Sequence, residues 1–407
     1  MNRFMKKIGL ACAALLVLGL ALAALRARTP APVPVHYPSY NPNPLPADMS
    51  GMRDDAVHMV GRMRLGWNVG NTMEAIGGET NWGNPLVSDR LIRLVRQGGF
   101  DAIRLPVAWD QYADPKTGKI SDTWLARVKQ VVQYCVDNDM VVLVNIHWDG
   151  GWLQENFTAD RQAAVNAKQK AYWEQIATLL RDFDGHVLFA SANEPDVKDA
   201  GQMAILASYH QTFVDAVRST GGRNAYRVLV VQGPGTDIEK TNKLMTAMPT
   251  DTVPGRLMAE VHFYTPFNFA LMTKDEAWGK QAYYWGAAYH SRTDTARNAT
   301  AGEEALVDDL FGRMKAQFVD KGIPVLLGEF GAIRRSQLTG DDLKLHLASR
   351  AYYHKYVVKT ALKNGMIPFY WDTGDLGPNS FGLFDRKSGT VFDRQTLDAM
   401  REGASGE

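Results

Sequence analysis

A (β/α)8 barrel with extended loops at its C-terminal face is the fold this sequence predicts, on three observations. Eight short apolar runs of strand type alternate with amphipathic helical stretches, with no sequence repeat. The runs are continuously apolar rather than alternating, which implies burial on both faces, as in a parallel sheet covered by helices. Of 407 residues, about 360 follow a distinct N-terminal stretch, enough for a barrel of roughly 250 residues with about a hundred left for loops.

The strand-type runs fall at 64–68, 102–106, 141–147, 187–193, 227–232, 257–264, 324–330 and 367–371. Helical periodicity marks 122–138, 168–182, 204–220, 303–320 and 341–363, and the longest inter-element segment is 265–301. Ahead of the barrel, residues 1–7 are basic and residues 8–25 are uninterruptedly apolar. That is the pattern of a secretory signal, and an uncleaved membrane anchor through 8–25 stays open beside it. Either reading carries the body out of the cytoplasm. Residues 29–46 hold seven prolines and read as an extended spacer. The division is therefore 1–28 signal peptide or anchor, 29–46 linker, and 47–407 a single barrel. Cys135 is the one cysteine outside the leader, on what reads as a buried helix face, so no intramolecular disulfide is expected.

Composition excludes some functions. Lys and Arg number 45 against 44 Asp and Glu, but residues 1–46 hold five basic residues and no acidic one, so the body carries 40 against 44, net −4. A faintly acidic body lacks the positive footprint of a nucleic-acid binder. Gly77-Gly78 and Gly233-Pro-Gly235 form no phosphate-cradling motif.

Chemistry in such barrels is sought where strands end at the C-terminal face. Those ends read Asn68, Arg104, His147, Asn193-Glu194, Gln232, His262 with Tyr264, Glu329, and Trp371-Asp372. Any one polar strand end is explained by solvation. An arginine, two glutamates, two histidines and a tyrosine together are not.

In that order, Ile103-Arg-Leu-Pro106, Asn145-Ile-His147, Ala192-Asn-Glu-Pro195, Val261-His-Phe-Tyr264, Gly328-Glu-Phe-Gly331 and Tyr370-Trp371 resemble glycoside hydrolase family 5, the cellulase family. Gly66-Trp-Asn-Val-Gly-Asn-Thr72 is similar to the opening motif of its endoglucanase branches. The resemblance implies an exported, metal-free, cofactor-free retaining β-glycosidase, with Glu194 as acid/base and Glu329 as nucleophile. It implies further that Asn193 bonds the sugar 2-hydroxyl.

The chemistry argues alongside. Retention needs one protonated and one ionised carboxyl about 5–5.5 Å apart, and the fourth and seventh strand ends face each other across a barrel mouth. Arg104 and Tyr264 are expected to keep Glu329 ionised, leaving the proton on Glu194, while His147 and His262 orient carboxyls and sugar hydroxyls. A metal site from His147, Asp149, His262 and Asp372 is disfavoured, because no paired His-x-His or His–Cys cluster accompanies it.

Sugar rings stack on aromatic faces. Eight of ten tryptophans fall at strand ends or in the loops after them. Trp371 is the expected platform beside the cleaved bond, with Trp82, Trp109, Trp148, Trp152 and Trp285 as further subsite candidates. The loop bearing Phe267, Phe269, Trp278, Tyr283, Tyr284 and Trp285 walls the cleft or packs as a lid. The expected activity is endo-β-1,4-glucanase on cellulose-like or mixed-linkage glucan. Xyloglucan, mannan or xylan hydrolysis, or a non-catalytic polysaccharide binder, are the alternatives. His147 is followed by Trp148 where many relatives carry another aromatic or a histidine, so one sugar subsite differs.

Overall fold

The computed structural model describes residues 36–406. Eight parallel strands close into a barrel in sequence order: β1 (Gly66–Val69), β2 (Ala102–Leu105), β3 (Val141–Asn145), β4 (Val187–Ala190), β5 (Leu229–Gln232), β6 (Leu257–Phe263), β7 (Val325–Phe330) and β8 (Met366–Asp372). β8 returns to β1 through the register Phe369↔Gly66 to Asp372↔Val69. A helix follows each strand: α1 (Asp89–Gln97), α2 (Asp122–Asp137), α3 (Ala159–Leu180), α4 (Ala200–Ser219), α5 (Ile238–Leu244), α6 (Glu304–Gln317), α7 (Gly340–Lys363) and α8 (Arg394–Ser405).

The continuous apolarity of the strands is explained by two cores. Along β3, Val142 and Val144 point out into the large cluster shared with the helices. Val141 and Leu143 point in, where they meet Ala190, Val230, Met258, Leu326 and Ile367. The pleat alternates sides every residue, so a strand buried on both faces is apolar at each step. A short helix, Ala56–Val60, closes the N-terminal end of the barrel with Ala56 and Met59, joined by Met63. Asp55 caps it by accepting from the His58 N–H at 2.9 Å. An apolar floor therefore lies under a polar mouth, where Asn68, Arg104, Asn145, Glu260, His262 and Glu329 are all buried.

Local chemistry sets the helix starts. Asp199, Asp237 and Asp393 accept from the third residue ahead, capping α4, α5 and α8. Asp393 is held as well by Arg350 of α7, which fixes α8 against its neighbour. Trp173 of α3 packs between Phe189 of β4 and Phe213 of α4, with centroids 5.4 and 4.5 Å away. Cys135 is a buried free thiol on α2, and burial pushes its pKa up.

Most elements start or stop within a few residues of the sequence reading, and two differences are larger. α3 begins at Ala159, nine residues before the expected 168, because Thr158 is extended and nothing after it breaks a helix. Residues 37–46 are not a free spacer. Tyr40 donates its N–H to Glu174 of α3 at 2.7 Å, Asn41 donates to the Ser219 carbonyl at 2.8 Å, and Leu45–Ala47 pairs in parallel with Gly221–Gly222. Prolines cannot donate to a ladder of their own, yet an extended chain still bonds to the body it crosses. The leader and the start of the Pro-rich stretch lie outside the described residues. Among the described residues no helix is long and apolar enough to cross a membrane.

Candidate active site

β4 ends just before Glu194, and β7 carries Glu329. Ligand atoms of Glu194, Glu329 and His262 lie within 4.8 Å of one another. Residues 135 positions apart thus meet across the mouth. Glu329 is buried, accepting from Arg104 Nη1 at 2.8 Å on Oε1 and from the Tyr264 hydroxyl at 2.9 Å on Oε2. Arg104, fully buried, also donates to Asn68 Oδ1 at 3.0 Å and Asn193 Oδ1 at 2.8 Å. Its fixed fork leaves it little freedom to turn away from Glu329.

Glu194 is more open, with 38% of its side chain exposed. Its Oε1 lies 2.8 Å from His262 Nδ1, and its backbone N–H donates to Gln154 Oε1 at 3.2 Å. The other face of the His262 ring reaches Glu260 Oε1 at 3.1 Å. Two cations, Arg104 and His262, therefore stand among three carboxylates.

The electrostatics correct one expectation. At Glu194 burial works upward, but the hydrogen bond and charge of His262, with Arg104, outweigh it and hold the carboxyl below its usual range. At Glu329 burial prevails over His262, Arg104 and Tyr264 and holds the carboxyl above its usual range. The dissociable proton is therefore not on Glu194. It resides on His262, where burial opposes charge but Glu329, Glu194 and Glu260 push the imidazole up to about 9. His147 is held well below its ordinary value by burial and by the charges of Arg104 and His262, so it is neutral. The Asn145 amide lies 3.2 Å from its Nδ1, which leaves Nε2–H as the donor.

The aromatic candidates separate. Trp371 is half-buried at the end of β8, its ring stacked on His147 at 5.7 Å and 6°. Trp82 is exposed and lines a cleft of about 440 Å³ with Asn71, Asn84, Gly374 and Arg386. Trp148 is exposed and donates its Nε1–H to Glu155. Trp109 and Trp285 are corrected: both are wholly buried. Trp109 donates Nε1–H to the Asn145 carbonyl, and Trp285 packs among Tyr352, Tyr353 and Tyr356 of α7. Neither presents a face to a sugar. Trp152 is tied inward to Asp149 and the edge of Tyr172, under Lys168. Phe269, Tyr284 and Trp285 of the 265–301 loop are buried, while Phe267 and Trp278 are exposed, so the loop packs at its base and projects at its tip.

The four residues weighed as metal ligands are dispersed. Asp149 accepts from the backbone of Trp109 and Asp110, and Asp372 from Trp67 Nε1 and the backbone of Leu383 and Phe384. The donor set formed by Glu194, His262 and Glu329 is committed to internal hydrogen bonds beside a guanidinium, which is unsuited to a second cation. Glu260, Gln154 and the role of Gln232 escaped the sequence reading. The one available signal was an acidic residue inside the apolar run 257–264.

A closed (β/α)8 barrel with opposed acidic side chains at its C-terminal mouth defines the class, a barrel glycoside hydrolase. The chain belongs to the cellulase family, glycosyl hydrolase family 5, whose profile matches residues 68–377. It is 38% identical over 374 residues to a xyloglucan-specific endo-beta-1,4-glucanase of Bacteroides ovatus, covering 88% of this chain and 72% of that one. It is 34% identical over 385 residues to endoglucanase A of Paenibacillus barcinonensis, covering 88% and 92%. Among solved structures, a xyloglucan-specific beta-1,4-glucanase from a ruminal metagenomic library superposes with a TM-score of 0.81 at 37% identity, covering 87% and 97%.

Proposed function

We propose that this chain is a retaining endo-β-1,4-glucanase that cuts the glucan backbone of xyloglucan by double displacement. The observation that carries the mechanism is the approach of Glu194 and Glu329 to within 4.8 Å from facing strands. An approach that close between one oxygen of each suits the carboxylate pair about 5–5.5 Å apart that retention uses better than the roughly 6.5–9.5 Å of inversion. The xyloglucan preference is supported by the relatives named for that polymer, and the cleft beside Trp82 offers space for part of a branched chain.

Glu329 attacks the anomeric carbon while Glu194 delivers a proton to the leaving oxygen. Glu329 is dry already, so substrate changes its surroundings little. Glu194 is not, and a sugar seated over its exposed edge removes water and raises its pKa. The proton on His262 Nδ1, an atom 2.8 Å from Glu194 Oε1, then moves to Glu194. Arg104 and the Tyr264 hydroxyl keep Glu329 in its attacking form. Asn193, held by Arg104 Nη2, is positioned to bond the 2-hydroxyl as positive charge grows on the ring. Once Glu329 is esterified its charge is gone, and Glu194 takes a proton from water in the second half-reaction. Trp371 and exposed Trp82 and Trp148 serve as sugar platforms. The leader in residues 1–28 is proposed to export the enzyme to its polymer, which N-terminal sequencing of the secreted form checks.

A panel of xyloglucan, barley β-glucan, carboxymethylcellulose, mannan and xylan, with product sizing, tests the activity. Highest kcat/KM on xyloglucan with oligosaccharide products supports the reading. Preference for unbranched glucan withdraws the substrate, and turnover of none withdraws the activity.

A further inference from the structure

Glu260 stands in the floor of the site, on β6, with no exposure. A bare carboxylate there is costly unless every oxygen is engaged. Its Oε1 lies 2.9 Å from Arg104 Nε, as an ion pair without an aligned N–H···O bond, and 3.1 Å from His262 Nε2. Its Oε2 accepts from Gln232 Nε2 at 2.6 Å, and Gln232 Oε1 in turn accepts from the Ala192 N–H at 2.8 Å, two residues before Glu194. The neighbouring strand makes room for it: a Cβ on Gly328 would lie 2.1 Å from Glu260 Oε1, so only glycine fits beside Glu329.

Each cation that grips a proposed catalytic glutamate is thus gripped from behind by Glu260. His262 is the sharper case. One ring nitrogen faces Glu194 and the other faces Glu260, and only the doubly protonated ring donates to both. A neutral ring would turn a lone pair on one of the two carboxylates.

We propose that Glu260 is a positioning residue that holds His262 as an imidazolium and fixes Arg104, so that these two cations present Glu194 and Glu329 to the substrate. The inference deepens the glucanase reading and rests on it. His262 is faced by Glu194 after β4, Glu260 on its own strand, Glu329 on β7, Arg104 on β2 and neutral His147 beyond β3. Among these, Glu260 is the carboxylate that touches both cations and lies away from the substrate side. Its negative charge also raises Glu194. Removing it lowers both members of the proton-holding pair.

The test compares wild type, Glu260→Gln, and the exchange Glu260→Gln with Gln232→Glu. The exchange keeps a carboxylate and an amide across the same 2.6 Å contact but moves the charge off Arg104 and His262. Imidazole ¹⁵N shifts at about pH 8.5, between the wild-type value near 9 and one about a unit lower, are expected to show His262 mainly protonated on both nitrogens in wild type and mainly on one in both variants. The alkaline limb of kcat/KM is expected to fall by about one pH unit in both, from the wild-type value near 9, with little change at about pH 7 and a loss that approaches roughly tenfold at about pH 9.5. The exchange is expected to regain the thermal stability that the single variant loses. A singly protonated His262 in wild type, or a wild-type alkaline limb in the exchange, overturns the proposal. If Glu260→Gln does not fold, the exchange and the wild-type spectrum still decide. A wild type that cleaves no β-glucan sinks the glucanase reading alone, since the ¹⁵N spectrum reports the ring's charge without turnover.

Discussion

Tyr264→Phe isolates one hydrogen bond of the site. The hydroxyl donates to Glu329 Oε2 at 2.9 Å, and the ring keeps an edge contact with Phe381, centroids 6.1 Å apart, that phenylalanine preserves. A hydrogen bond to a charged group contributes about 1.5–3 kcal/mol, and a pKa unit is about 1.4 kcal/mol. Removing it should therefore raise the Glu329 pKa by roughly 1–2 units. In the proposed mechanism Glu329 acts as its anion, so the acid limb of kcat/KM should move to higher pH by that amount, while the alkaline limb, assigned to His262 and Glu194, should stay. The assay is the pH dependence of kcat/KM on a chromogenic xyloglucan oligosaccharide, with thermal unfolding as a control on the fold. An acid limb unchanged in a folded variant, or one displaced to lower pH, refutes the assignment of Tyr264 to the anion.

Trp371→Ala should raise KM on polysaccharide on the order of tenfold, since an aromatic platform contributes about 0.5–1.5 kcal/mol beyond its buried area. Michaelis kinetics check it, and an unchanged KM removes Trp371 from the cleft. Trp285→Ala should lower stability by roughly 3–5 kcal/mol and leave KM alone, because the ring is a packing residue; denaturant unfolding beside kinetics separates the two. Stability should fall on both sides of neutrality. His210, His346 and His354 are buried neutral and held down to about 4, 3 and 3. Their contribution is therefore present above the unfolded pKa of about 6.5 and lost as pH falls toward those values. His262, raised to about 9, does the reverse: its contribution is full below about 6.5 and lost as pH rises through 9. Urea unfolding from pH 4 to 10 reads both limbs, and a flat alkaline side argues against a charged His262.

The barrel was legible because its strands are buried on both faces, which leaves unbroken apolar runs such as 141–144, and because stretches of helical periodicity separate those runs. The two glutamates were legible because they stand at or next to the C-terminal ends of such runs. Glu260 was not, since it lies inside a run, and sequence does not show that Gly328 on the next strand vacates the space it needs. Trp109 and Trp285 misled for a related reason: a tryptophan in a loop after a strand reads as exposed, yet each of these turns inward against Asn145 or α7. The sequence named the neighbours of Glu194 and Glu329 but not the balance among them. That balance depends on a 2.8 Å contact to His262 and on how much drier Glu329 is than Glu194.

The direct test is to trap the intermediate. Incubation with an activated 2-deoxy-2-fluoro β-glycoside of a cello- or xylogluco-oligosaccharide, followed by peptide mass spectrometry, should find one sugar per chain esterified to Glu329. Glu194→Ala should still be labelled, because the activated leaving group needs no acid. Labelling at another carboxylate, or release of α-configured product with no adduct formed, contradicts the account.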